Sequence, residues 1–185
     1  MTDASQLNTS SIADATSLAS EAELLIATEK LEGRRRRICA SILVPCPIEQ
    51  VWQVLTDYDN LADFIPNLTV SRRLSDSQAG TLLEQVGSQC FLNIQFCARV
   101  VLNMVEQFPY QLGFTMVEGD FKAFNGAWNL EPAGDAEGLT RLVYELTICP
   151  PRAIPVMLIE RHLCRDLTQN LQAIRQQAIS MAGAA

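Results

Sequence analysis

The chain has 185 residues, 48% hydrophobic and 19% charged, with a formal net charge of -7. That length gives one domain able to bury roughly 70% of its unfolded surface, and the acidic balance excludes nucleic acid as the main partner, because phosphate binding needs a positive surface field. No apolar run approaches the ~18 residues of a membrane-spanning helix, so a cytoplasmic protein is expected.

Residues 1–33 read as a disordered or loosely helical tail. Ser, Thr and Ala dominate it, and the apolar spacing of Leu18, Leu25 and Ile26 is weak. Acidic residues (Asp3, Asp14, Glu21, Glu23) precede any arginine, which is not the pattern of a signal or transit peptide. A domain over 34–185 follows Gly33. Arg34, Arg35, Arg36 and Arg37 open it. Along a strand their side chains alternate, two to each face, so the run reads as a solvated strand entrance that can also make transient contact with an anionic membrane surface.

Ile38, Ala40 and Ile42 alternate with Cys39, Ser41 and Leu43 in a first strand over 35–44. Pro45 and Pro47 then favour a helix start, and Ile48, Val51, Trp52 and Leu55 recur at helical spacing. Tyr58 to Asn60 makes a turn, and Leu61 to Ile65 is a second short helix stopped by Pro66. Phe64 is the residue of that helix expected to reach inward.

From Thr69 the period becomes two. Strands are expected over 69–74, 81–92, 94–106, 111–118, 122–131 and 139–148, separated by turn residues. With the first strand this makes about seven, joined as an antiparallel meander. Parity groups Phe96, Ala98, Val100, Leu102 and Met104 on one face, with Leu112, Phe114 and Met116, with Phe124, Gly126, Trp128 and Leu130, and with Leu142, Tyr144 and Leu146. The opposite set is more polar, as in a sheet with one solvated face. Residues 155–182 then form a long amphipathic helix, with Val156, Ile159, Leu163, Leu167, Leu171, Ile174 and Ala178 as its apolar stripe and Arg161, Arg165, Asp166, Gln169 and Gln176 opposite. At 1.5 Å per residue it runs on the order of 40 Å, enough to cross the sheet.

The chemistry-bearing residues are sparse. The six cysteines show no CxxC pair and no histidine partner at metal-ligand spacing, so neither a metal site nor a disulfide framework is expected, and buried reduced thiols are. The single histidine, His162, lies about 200° around the helix from Cys164, which precludes a simple dyad, and it reads as a surface or rim residue. Asp57, Asp59 and Asp63 could be paired acid/base carboxylates or could cap backbone N–H groups at helix ends. No nucleophile elbow, zinc-protease or phosphate-loop motif occurs. No catalytic residue, metal ligand or cofactor is assigned.

The order of Pro, Trp, Asp-Tyr and Phe-Ile-Pro in VPCPIEQVWQVLTDYDNLADFIPNL, with GDFKAFNGAWNLEP and PRAIPVMLIERHLCRDLTQNLQAIR, resembles the polyketide cyclase/dehydrase branch of the START-like (SRPBCC) helix-grip superfamily, which includes coenzyme Q-binding START proteins. The resemblance covers roughly residues 35–178. It implies an α+β helix-grip fold: a seven-stranded antiparallel sheet wrapped around a C-terminal helix, enclosing a cavity for a lipid, isoprenoid or quinone, or polycyclic ligand. The expected function is binding or carriage of such a molecule by a monomer. The expected lining is Phe64, Phe96, Phe114, Met116, Phe124, Trp128, Tyr144, Ile159 and Leu163, with the Tyr144 hydroxyl orienting the guest. A cyclase or dehydratase, and a docking module with a filled core, are the alternatives.

Overall fold

The computed structural model describes residues 24–77, 80–91, 94–134, 138–152 and 155–183; the side chains of 76–77, 89–91, 94–96 and 158–159 also lie outside the description. Eight strands form one antiparallel sheet: β1 (Leu25–Lys30), β2 (Arg36–Val44), β3 (Leu68–Ser77), β4 (Gly80–Phe91), β5 (Ile94–Gln107), β6 (Gln111–Gly119), β7 (Ala123–Pro132) and β8 (Thr140–Cys149). Their order is β1-β2-β8-β7-β6-β5-β4-β3. Strands β3 to β8 follow one another by hairpins. The first hairpin, β1-β2, closes onto β8, so β1 and β3 are the two edges.

Three helices complete the fold: α1 (Ile48–Thr56), the single turn α2 (Leu61–Phe64) and α3 (Val156–Ala182). Pro47 and Pro155 stand at the N-caps of α1 and α3, one position before the first helical residue. Helix α3 lies in the concave side of the sheet, where Leu167, Leu171, Ile174 and Ala178 are buried with Ile38, Ala40 and Ile42 of β2 and Leu142, Tyr144, Leu146 and Ile148 of β8. Full burial of each such aliphatic side chain contributes about 1.5–3 kcal/mol. The α1-α2 segment crosses from β2 to the far edge and covers one flank.

Polar ties fix the C-terminal half of α3. Gln50 Nε2 donates to the Ala178 carbonyl at 2.7 Å, and Arg175 Nε donates to the Leu43 carbonyl at 3.1 Å. At its other end, Arg36 Nε meets Glu160 Oε2 at 3.0 Å. Three of the four consecutive arginines therefore have partners within the chain: Arg34 donates to the Pro151 carbonyl, Arg36 pairs with Glu160, and Arg37 pairs with Glu145. On the convex face Glu84 of β4 accepts from Arg72 of β3 and Arg99 of β5, and Arg99 also reaches Glu118 of β6.

Two expectations change. The sheet has eight strands because Leu25–Lys30, read from sequence as part of a disordered or loosely helical tail, pairs with β2 from Leu25↔Ser41 to Lys30↔Arg36. Its side chains are nearly all exposed, so backbone hydrogen bonds rather than a buried face define it. The remainder of the tail lies outside the described residues. Thiols are not uniformly buried either: Cys46 is, but Cys97 is exposed.

Candidate functional site

Between the sheet and the stretch of α3 from His162 to Ile174 lies a cavity of about 610 Å³. Alternation along the strands builds its floor. Successive side chains of a strand point to opposite faces, and β5 places Ala98, Val100, Leu102 and Met104 inward, β6 Leu112 and Phe114, β7 Phe124 and Trp128, and β8 Tyr144 and Leu146. Register then sets them in rows. Leu112 pairs with Trp128, Trp128 with Tyr144, and Tyr144 with Ala40, while Phe114, Gly126 and Leu146 form the neighbouring row.

The rings on these rows are in mutual contact. Trp128 and Tyr144 have centroids 4.2 Å apart, Tyr144 and Phe114 stack at 5.7 Å and 15°, and Phe124 touches Phe114 at 5.8 Å and Phe121 at 5.5 Å. Such pairs add about 0.5–1.5 kcal/mol each beyond buried area, making a firm aromatic wall. Gly126 permits it, because Phe114 Cζ occupies the space where a side chain on residue 126 would stand. Burial also raises the Tyr144 hydroxyl above the ordinary tyrosine range, so it stays protonated as a neutral group.

Helix α3 forms the roof with Leu163, Leu167 and Ile174, and between them His162, Asp166 and Asn170. Asp166 is only 8% exposed. The polar face expected to include Asp166 thus has a different composition. From Leu163, three, four and seven residues on lie Asp166, Leu167 and Asn170, all on the inward side of a 3.6-residue helix. His162, expected at the surface or rim, lines the cavity as well. The exposed lining residues Pro66, Asn67 and Pro155 mark the mouth, and the buried Leu83, Leu102, Met104, Leu112 and Ile174 mark the inner end.

Of the nine side chains singled out by sequence, Phe114, Phe124, Trp128, Tyr144 and Leu163 lie together on this cavity. Phe64 packs against the core without reaching it; Leu61 and Ile65, one turn apart, do so instead. Met116 likewise packs beside the core, next to the register shift between Val101 and Leu102 and close to Gly119. The Phe96 and Ile159 side chains are outside the description. Tyr58 and Phe121 went unnoticed because both sit in turns, where strand parity gives no face. Tyr58 is 1% exposed and donates its hydroxyl to Glu106 Oε1 at 2.7 Å.

Two of the three aspartates near α2 have partners that fix the local backbone. Asp57 accepts from Asn60 Nδ2 at 2.8 Å and Asp59 accepts from the Arg73 backbone N–H at 2.7 Å, and none of Asp57, Asp59 and Asp63 lines the cavity. Burial pushes the Cys164 thiol up, with Glu160 adding to the shift. A nucleophilic cysteine needs the opposite displacement.

Structural comparison places this architecture among known proteins. A START superfamily protein from Mycobacterium smegmatis aligns with a TM-score of 0.66 at 13% identity, over 78% of this chain and 98% of that one. A STAR-related lipid transfer protein fragment from Xanthomonas axonopodis gives 0.67 at 14%, over 84% and 98%. The Zhui aromatase/cyclase from Streptomyces gives 0.65 at 15%, over 78% and 93%. At these identities the likeness is one of fold. No curated protein matches the sequence. The family model described as polyketide cyclase / dehydrase and lipid transport matches residues 44–175, a span that runs from the end of β2 through the cavity-forming half of α3, and the chain belongs to that family.

Proposed function

We propose that the protein binds and carries a hydrophobic small molecule, a lipid, isoprenoid or polycyclic compound, between the sheet and α3. The observation that carries this reading is the unfilled volume of about 610 Å³ within a lining dominated by aliphatic and aromatic side chains. Ligand pockets of roughly 300–1,000 Å³ have this character. Burial of apolar guest surface at ~25 cal/mol per Å² supplies the affinity, from which the cost of immobilising the guest is subtracted. Admission requires the segment around Ile65 to Leu68 and the first turns of α3 to part, since these border the mouth. Membership of a family described by both cyclisation and lipid transport supports a guest of this class.

Native mass spectrometry and organic extraction of freshly purified protein test the reading. The expected result is a retained apolar compound, or tight uptake of apolar fluorescent probes by the empty protein. Protein that emerges empty and takes up no such probe would overturn it.

A further inference from the structure

The polar groups around the cavity are distributed unevenly. His162, Asp166 and Asn170 are four residues apart, so they form one ridge along α3 with a step of about 6 Å. They face a floor that is aromatic and aliphatic, where the Tyr144 hydroxyl has no hydrogen-bond partner among the described residues. Asn170 Oδ1 is shielded from solvent and also lacks a partner among them. No Lys or Arg lines the cavity among the described residues; His162, two turns nearer the mouth, is the one lining side chain able to become cationic.

We infer that the guest is a neutral hydroxyl-bearing molecule, an apolar alcohol or phenol, whose hydroxyl sits against Asp166 and Asn170. The inference rests on the carrier reading and adds the chemistry of the guest's inner end. A hydroxyl both donates and accepts. It can donate to an Asp166 carboxyl oxygen or to Asn170 Oδ1 while accepting from the Asn170 amide nitrogen. A hydrocarbon leaves the shielded Asn170 Oδ1 without a partner, which is costly in an apolar surrounding. A carboxylate or phosphate at this depth meets the acidic side chain of Asp166 and, among the described residues, no Lys or Arg, so its desolvation is poorly compensated. An acceptor-only carbonyl satisfies the amide N–H and nothing else.

Three probes with one ring system separate these cases: naphthalene, naphthol and naphthoate, titrated into the full chain by calorimetry. Naphthol is expected to bind at least about tenfold more tightly than naphthalene, the equivalent of about 1.4 kcal/mol, with naphthoate weakest. In Asn170→Leu, close in size but without the amide, the naphthol-to-naphthalene ratio is expected to fall at least about threefold. Naphthoate binding as tightly as naphthol, or a ratio unchanged by Asn170→Leu, overturns the assignment. Naphthalene matching naphthol in the wild type also overturns it and leaves the carrier reading standing. Failure of all three to bind, with protein that is empty on extraction, removes both. The wild-type ranking alone decides the matter should Asn170→Leu not fold.

Discussion

Gly126 and Phe114 share one space: a Cβ built on residue 126 would stand 2.7 Å from Phe114 Cζ and 1.9 Å from the Glu145 carbonyl oxygen. The ring could swing aside, but the carbonyl belongs to β8 and cannot move without disturbing its ladder. The aromatic wall of the cavity therefore depends on the absence of a side chain in β7.

Gly126→Ala is expected to destabilise the domain by about 2 kcal/mol, within the range of overpacked cores, lowering the melting temperature by roughly 4–8 °C for a chain of this size. Thermal unfolding followed by circular dichroism measures it. A melting temperature equal to wild type would show that β7 and β8 are farther apart than described.

Tyr144→Phe keeps the stack with Phe114 and Trp128 and removes a buried hydroxyl whose pKa desolvation has raised. The folded chain holds this proton more tightly than the unfolded one. Stability contributed by Tyr144 is therefore present below the ordinary tyrosine value of about 10 and is lost as pH rises beyond it, at up to about 1.4 kcal/mol per pH unit. Denaturant midpoints on the alkaline side should fall less steeply for Tyr144→Phe than for wild type. Identical slopes would remove Tyr144 as the source.

The strand faces were legible because β2, β6, β7 and β8 combine period two with one buried side, and a slip of one residue would invert every side chain. Strand β1 was not legible. LIATEK has no alternation of apolar and polar residues, and its place is fixed by pairing with β2 rather than by burial. On α3 the long apolar stripe was readable, whereas Asp166 was assigned by its polarity instead of its angle. The spacing from Leu163 puts it inward, where it borders the cavity. Turn residues Tyr58 and Phe121 reach the site through loop geometry, for which residue spacing offers no rule.

Ala98 of β5 is paired with Gly87 of β4, and both small residues border the cavity. A Cβ on Gly87 would find nothing closer than the Asn67 carbonyl at 3.8 Å. Ala98→Phe should project a ring into unfilled space, keep the fold, and reduce guest retention at least about tenfold, the equivalent of about 1.4 kcal/mol. Parallel melting curves and extraction assays check both halves. Undiminished retention in a folded Ala98→Phe protein would place the guest elsewhere.

Glu84 joins β3, β4 and β5 through Arg72 and Arg99. The hydrogen bond from Arg99, aided by Arg72 and opposed by desolvation, holds its carboxyl below the usual range. Its contribution to stability is thus present above the unfolded value of about 4.5 and is lost as pH falls through the folded one. Urea midpoints of wild type should decline more steeply on acidification than those of Glu84→Gln. Parallel declines would exclude this carboxylate as an acid-sensitive element of the sheet.

The fastenings of α3 are unequal along its length. Gln50 and Arg175 secure the last turns to α1 and β2, and the buried Leu171, Ile174 and Ala178 lie there, whereas the first turn has the Arg36–Glu160 pair and an exposed Met157. The coil is in effect cantilevered: among the described residues, its far end carries more of the buried contacts and polar ties than the end beside the opening. On the carrier reading, a guest would pass at the less fastened end while the root keeps the domain folded, so substitutions near Glu160 are expected to alter exchange kinetics and those near Arg175 global melting.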